Sequence, residues 1–384
     1  MDRSELTDEA VLEALNALID RVDDIRSAVD GFPFVYEKEV DAWETTTDGN
    51  WCAGHWIGLL RTAAVYAEDG TRFNRAADHA TDRMLENEAL CRSHFAGMNY
   101  LYAGFRSYNQ TGDRSQFAIG LTGADAMVDL FHETGRQITV GEYDTKGPGD
   151  ERMGDAARNR PDPPLTAVDI VYTALPVLWQ AYRETGQERF RDVALSHADR
   201  HLDWFVLDDA STVQLRSFDP NSGQSRDTAE LLAASDDTCW ARGQGWSLAG
   251  LSRAYTETDA RRYLDAIERI VDYWYEHTPD DLVPRWDFEV TGTDEPRDTS
   301  AAALAAYGLL GLRGPDERIA ELRTVGRRLL ETIINDYMRT DGQCRGAVLH
   351  TCYDQPEEYA TDVEAIWTEY YVARALVRSF ETTD

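Results

Sequence analysis

The chain has 384 residues, with 70 Asp and Glu against 38 Lys and Arg, for a net charge of −32. A surface that negative repels phosphate backbones and anionic lipid, which argues against nucleic acid or a membrane surface as partner. No apolar run approaches the roughly 18 residues that a membrane span needs.

Lys38 and Lys146 are the only lysines, so arginine supplies the other 36 cations. Carboxylates in excess, with few long lysine stems, suit concentrated salt, where charge repulsion is screened within about 3 Å at 1 M. The opening Met1-Asp2-Arg3-Ser4-Glu5-Leu6 lacks the basic and apolar regions of an export signal. Together these features predict a halophilic protein of the cytoplasm.

Helical spacing begins at once, with Val11, Leu12, Leu15, Leu18, Ile19 and Val22 marking an amphipathic helix over 9–28. Residues 51–66 then read differently, apolar on nearly all sides and rich in small residues, as in a helix buried among others. The two types alternate to the end. Buried segments fall at 97–108, 169–182, 240–255, 299–312 and 365–380, and amphipathic ones at 72–86, 115–134, 189–205, 260–277 and 317–337. Six inner and six outer helices predict an all-α (α/α)6 barrel, a toroid of helix hairpins forming one catalytic domain over 1–384. Runs at 213–218 and 282–290 predict short β-hairpins, and the Gly- and Pro-rich stretch 147–164 a long loop.

The five cysteines, Cys52, Cys91, Cys239, Cys344 and Cys352, are odd in number and lack CxxC spacing, so they predict reduced thiols. His197 and His201, at i and i+4, come closest to a metal pair, but the reading puts them on a polar helix face. No metal and no organic cofactor is predicted.

In such a barrel the inner helices run the same way and their amino-terminal ends share one mouth. At those ends stand Trp51, His55, His94, Asp169, Arg242, Gln244 and Asp298. Aromatic faces suit pyranose rings and arginine suits a carboxylate. Each residue also has a plainer reading: Asp298, before Thr299 and Ser300, as a helix N-cap, and Asp169 likewise.

Several strings resemble the unsaturated glucuronyl hydrolases of glycoside hydrolase family 88. Asp236-Asp237-Thr238-Cys239-Trp240-Ala241-Arg242-Gly243-Gln244-Gly245-Trp246 is similar to that family's DDSxWARGQAW. Trp286-Asp287-Phe288 with Pro296-Arg297-Asp298-Thr299-Ser300-Ala301-Ala302-Ala303 resembles WDF…PRDTSAAAI, Ile366-Trp367-Thr368-Glu369-Tyr370-Tyr371 resembles IWGDYY, and Gly54-His55-Trp56-Ile57-Gly58 resembles GFWxG. The unsaturated rhamnogalacturonyl hydrolases of family 105 are near neighbours but usually carry WARGNGW, from which Gln244 departs.

The resemblance implies an enzyme that removes a terminal 4,5-unsaturated uronic acid from lyase-generated oligosaccharides, a small-molecule substrate. An acid protonates the vinyl ether, water adds, and the hemiketal opens. Asp169 matches the family's general acid/base, Arg242 the partner of the uronate carboxylate, and Trp51, Trp56 and Trp246 stacking surfaces. His94 and Gln244 join them as substrate-binding residues.

One departure bears on this. Family members carry His-Asp-x-Gly-Phe at the second inner helix, where this chain reads His94-Phe95-Ala96-Gly97-Met98, so Phe95 occupies the place of a second acid. A histidine expected before the 213–219 hairpin is also absent, and Gln214 stands nearest. Phenylalanine neither accepts a hydrogen bond nor carries charge. The readings left open are a hydrolase with Asp169 as sole acid/base, helped by His94, Glu142, Asp144 or Glu364; a barrel acting on another uronic sugar; a sugar-binding homologue with little turnover; and a sugar 2-epimerase using His94 and His350.

Overall fold

A computed structural model describes residues 6–38, 40–142, 163–342 and 344–380. The predicted loop falls mostly outside these residues, as do Asp144 and Lys146.

The alternation of helix types appears as expected. Helix α1 (Asp8–Ala28) is capped by the Thr7 side chain and buries Val11, Leu15, Leu18 and Val22 on one face. The first inner helix, α2 (Ala53–Tyr66), is buried over its first eleven residues. Outer helix α3 (Thr71–Leu85) follows. The second inner helix comes in three pieces, α4 (Phe95–Tyr100), a π-helical turn (Leu101–Arg106) and α5 (Ser107–Thr111), backed by α6 (Arg114–Asp129). The third is α7 (Ile170–Thr173) running into α8 (Leu175–Thr185), backed by α9 (Glu188–Trp204). The fourth to sixth inner helices are α10 (Ala241–Thr258), α12 (Thr299–Leu310) and α14 (Ile366–Phe380). Their outer helices are α11 (Arg261–His277) and α13 (Arg318–Thr332), the latter ending in a second π-helical turn (Ile333–Tyr337).

Each inner helix packs on the next, and α14 returns to α2, closing the ring. Small residues permit this. A side chain at Gly97 would collide with the Thr173 carbonyl, so glycine lets α4 lie directly on α7. No helix among the described residues is long and apolar enough to cross a membrane.

The sheets are small. Strands β1 (Phe32–Glu37) and β2 (Ala42–Thr46) form a hairpin absent from the sequence reading, and β1 also pairs with β8 (Glu364–Ala365), Val35 opposite Ala365. Two-residue strands β3 (Phe131–His132) and β4 (Gln137–Ile138) pair with each other. The run at 213–218 supplies β6 (Leu215–Phe218), between β5 (Leu165–Ala167) and β7 (Ser225–Ala229). The run at 282–290 forms no ladder. Its pairings are the isolated bridges Arg285–Arg297 and Trp240–Asp287.

His197 and His201 are corrected as well. Both are fully buried, on the face of α9 that carries Phe190, Val193 and Trp204. His197 Nδ1 accepts from the Ile138 amide at 3.1 Å and His201 Nε2 lies 3.1 Å from Ser247 Oγ. Burial pushes His201 down to about 3 and His197 well below its usual value, so both stay neutral in the core.

Arginine replaces lysine in the surface ion pairs. Arg318 alone holds Asp265 at 2.8 Å, Asp316 at 2.9 Å, and Glu268.

Candidate active site

The amino-terminal ends of four inner helices converge on one cleft of about 490 Å³, counted to its open mouth. Trp51, Phe95, Asp169, Arg242 and Trp246 line it, joined by Gln214, Leu232, Trp240 and Tyr353 from the loops and by Ala167. Asp169 is the only carboxyl group among these lining residues.

Asp169 does not cap its helix; its side chain makes no cap hydrogen bond to α7. Its Oδ2 lies 3.2 Å from Nε2 of His94 instead, and its Oδ1 is buried with no hydrogen-bond partner. His94 is fully buried, and its other ring nitrogen, Nδ1, lies 3.1 Å from the Val140 carbonyl oxygen. A carbonyl only accepts, so Nδ1 carries a hydrogen. In the neutral ring Nε2 then presents a lone pair toward Asp169. Two lone pairs do not bond, so a hydrogen bond between Nε2 and Oδ2 needs one proton, on either atom. The Val140 carbonyl thus orients the imidazole so that Nε2 faces Asp169. His94 itself is not among the lining residues. Predicted as a substrate contact, it lies behind Asp169 in this geometry.

Phe95 forms an apolar wall. Its ring sits 3.9 Å from that of His94 and 5.9 Å from that of Trp51. Trp51 stacks on Tyr353 at 6.2 Å with planes 12° apart, and Trp246 on Tyr172 at 5.7 Å. Asn99 holds the start of α2 in place: its Oδ1 accepts from the Gly54 amide at 2.5 Å and its Nδ2 donates to the Trp51 carbonyl at 3.1 Å.

Arg242 lines the cleft, but its charge is already matched. Nη1 donates to Asp298 Oδ2 at 2.9 Å, Ser300 Oγ at 3.2 Å and the Cys352 carbonyl at 2.6 Å, while Nη2 donates to the Tyr353 carbonyl at 2.8 Å. The guanidinium lies over Trp240, 4.6 Å from the ring centre. Asp298 performs both roles read from its position: Oδ1 caps α12 by accepting from the Ser300 amide, and Oδ2 holds Arg242.

Gln214 is the residue that sequence reasoning undervalued. Its Oε1 accepts from the amides of Leu231 and Leu232 at 2.7 and 3.0 Å, fixing Leu232 in the wall. The carboxamide is thereby oriented, and its Nε2, which has no partner among the described residues, is left as a donor in the lining. The Gln214 amide donates to Glu230 at 2.7 Å. Burial, with Asp287 and Asp236 adding repulsion, raises the Glu230 carboxyl to about 8.

Two predicted contacts lie elsewhere. Trp56 and Gln244 are buried but do not line the cleft; Gln244 Nε2 donates to the Ala210 carbonyl at 2.9 Å, tying α10 to a loop. Among the other candidates, Glu364 is bound by both ends of the Arg21 fork, Glu142 pairs with Arg92, and His350 pairs with Asp362. None lines the cleft, so the geometry brings no second histidine to face His94 across a sugar.

An aromatic cleft with one carboxyl group backed by an imidazole defines a class of protein, one that seats a sugar ring and moves protons beside it. The profile of Glycosyl Hydrolase Family 88 matches residues 25–383, and the chain belongs to that family; it is a glycosidase. Similar proteins include the unsaturated chondroitin disaccharide hydrolase of Streptococcus pneumoniae, 27% identical over 343 residues, covering 86% of this chain and 82% of that one. The unsaturated glucuronyl hydrolase of Bacillus sp. strain GL1 is 26% identical over 362 residues, covering 91% of each. The solved unsaturated glucuronyl hydrolase of Streptococcus agalactiae matches with a TM-score of 0.85 at 24% identity, over 99% of this chain and 94% of that one, a likeness that shows the (α/α)6 fold.

Proposed function

We propose that this glycosidase removes a terminal 4,5-unsaturated uronic acid from small oligosaccharides left by polysaccharide lyases, with Asp169 as sole acid and base. The observation that carries the reading is the 3.2 Å approach of His94 Nε2 to Asp169 Oδ2 at an aromatic cleft, with the other ring nitrogen held by the Val140 carbonyl. Asp169 gives its proton to C4 of the vinyl ether, leaving positive charge shared by C5 and the ring oxygen. Water adds at C5 and loses a proton to the Asp169 carboxylate. The resulting hemiketal opens to a ketone at C5 and a hemiacetal at C1, which releases the neighbouring sugar.

Trp51 and Trp246 supply faces for the ring, and Phe95 extends that apolar wall where resembling enzymes place a second acid. The Gln214 carboxamide and the N–H groups of Arg242 not engaged by Asp298 and the carbonyls receive the uronate carboxylate. The buried apolar cluster runs without a break from Val11 to Val377, which supports one catalytic domain. No disulfide joins the cysteines among the described residues, which supports work in a reducing cytoplasm.

The test is incubation with a panel of lyase-generated unsaturated disaccharides in high salt, following the ultraviolet absorbance of the conjugated double bond. Loss of absorbance with release of the neighbouring sugar is expected. A folded protein that leaves the absorbance of every member unchanged would overturn the reading.

A further inference from the structure

The opposite end of the barrel carries a feature that sugar chemistry does not use. Two adjoining cavities, of about 340 and 780 Å³ counted to their mouths, share Arg106, Arg253 and Arg378 in their walls, and Arg374 lines the larger. Arg253 is eleven residues beyond Arg242 on α10, roughly 16 Å along the axis at 1.5 Å per residue, so this is a second site and not the floor of the first. No Asp or Glu is among the described lining residues of either cavity, in a chain with a net charge of −32.

Cations at the carboxyl ends of inner helices are expected to cap the terminal carbonyls. Here that role covers little of the charge. Arg378 reaches the Tyr307 carbonyl, but Arg106 donates to the Tyr307 and Tyr370 hydroxyls, and Arg253 pairs at 2.5 Å with Glu257, a carboxylate it shares with Arg183. Two buried polar atoms have no hydrogen-bond partner: Arg253 Nε and the hydroxyl of Ser252, a residue only 3% exposed that lines the smaller cavity. The local excess of positive charge shows in its neighbours. Burial pushes Arg253 down to about 10, and although burial works against it, Arg106, Arg378 and Arg374 pull the Tyr307 hydroxyl down to about 7.

The geometry points to a binding site for an inorganic oxoanion, phosphate or sulfate, held by the guanidinium groups of Arg106, Arg253, Arg374 and Arg378 and by the Ser252 hydroxyl. Planar guanidinium forks match the oxygen spacing of a tetrahedral oxoanion, and an enclosed site of several such forks screens less than a surface one. The ion would tie the π-helical turn of the second inner helix to α10 and α14 at the end of the barrel away from the cleft.

Calorimetric titration of the full-length protein with inorganic phosphate, and separately with sulfate, at constant chloride concentration tests this. Saturable binding of one ion per chain is expected. Arg253→Gln should weaken it about tenfold or more, the loss of a charge-assisted hydrogen bond. Ser252→Ala, which removes one unpartnered atom and leaves every ion pair in place, should weaken it severalfold without changing sugar turnover. Absence of saturable binding by either oxoanion overturns the site. So does binding that both variants leave unchanged, which puts the ion elsewhere, or equal competition by chloride, which removes the selectivity for oxoanions.

Discussion

Replacing Asp169 with asparagine changes one oxygen to an NH2 group of the same shape. In the parent, Oδ2 faces His94 Nε2 at 3.2 Å, and Oδ1 has no hydrogen-bond partner. The new amide nitrogen, turned toward Nε2, donates to the same lone pair, so the local geometry survives. What disappears is a proton that can leave. General acid or base catalysis contributes about 10²- to 10⁴-fold, and here one carboxyl serves in both senses, so kcat should fall by about 10³-fold or more. At about 1.36 kcal/mol per decade that is roughly 4 kcal/mol of barrier. The Trp51, Phe95 and Trp246 faces are untouched, so substrate affinity should stay within about tenfold. Initial rates of absorbance loss give kcat, and titration of the inert variant with substrate gives affinity. A variant that keeps more than about a tenth of the parent kcat refutes the assignment, and one that loses only affinity makes Asp169 a binding group.

His94→Gln keeps a hydrogen-bonding side chain but removes the imidazole that faces Asp169 Oδ2, so kcat should drop about 10- to 100-fold with KM nearly constant. A raised KM at unchanged kcat would return His94 to the role of substrate contact. Glu230 titrates at about 8 in the folded chain against an ordinary 4.5, so the stability it contributes is complete below about 4.5 and lost as pH rises through 8. Glu230→Gln should therefore gain on the parent as pH rises from about 4.5 to about 8 in denaturant melts and hold that gain above 8, and an advantage that does not grow across this window would contradict this. Asp298→Ala leaves buried Arg242 without its carboxylate and α12 without its cap, a loss of about 3–5 kcal/mol in urea unfolding; a cost under about 1 kcal/mol would mean that the Cys352 and Tyr353 carbonyls suffice. Lowering salt from about 1 M to about 0.1 M lengthens the screening distance from about 3 to about 10 Å, and the net charge of −32 should then lower the melting temperature. A melting temperature independent of salt would remove the halophilic reading.

The helices were legible because their burial follows a period that sequence displays. A segment such as 299–310, apolar and small on every side, has few places to go except among other helices. The site was legible where it follows the same period. Arg242 and Trp246 are four residues apart and share a helix face, whereas Gln244, two residues on, points about 200° around and meets the Ala210 carbonyl. Gln214, Leu232 and Tyr353 come from loops, whose paths carry no period. Histidines 197 and 201 misled for a related reason: spacing put them with Phe190 and Trp204, while polarity suggested the surface, and the buried partners that reconcile the two, the Ile138 amide and Ser247, are distant in sequence. The β1–β2 hairpin was missed because Phe32–Val35 are buried in an unbroken run that includes Pro33 and shows no alternation, and the β1 pairing with β8 joins segments far apart in the chain.

That last pairing shapes how the molecule must assemble. The contact from β1 to β8, the fork of Arg21 on Glu364 across 343 positions, and the packing of α14 on α2 all lie on one seam. Until the final helix has left the ribosome the ring is an open arc, and Phe34 and Trp51 lack the Trp367 ring that covers them in the closed form. Local hairpins form early and cheaply in entropy, but the closing step joins the two most distant parts of the chain and should be slow. The arc is also the species most exposed to joining another copy of itself, and its high like charge is then a safeguard during synthesis, keeping unfinished rings apart until each has closed on its own end.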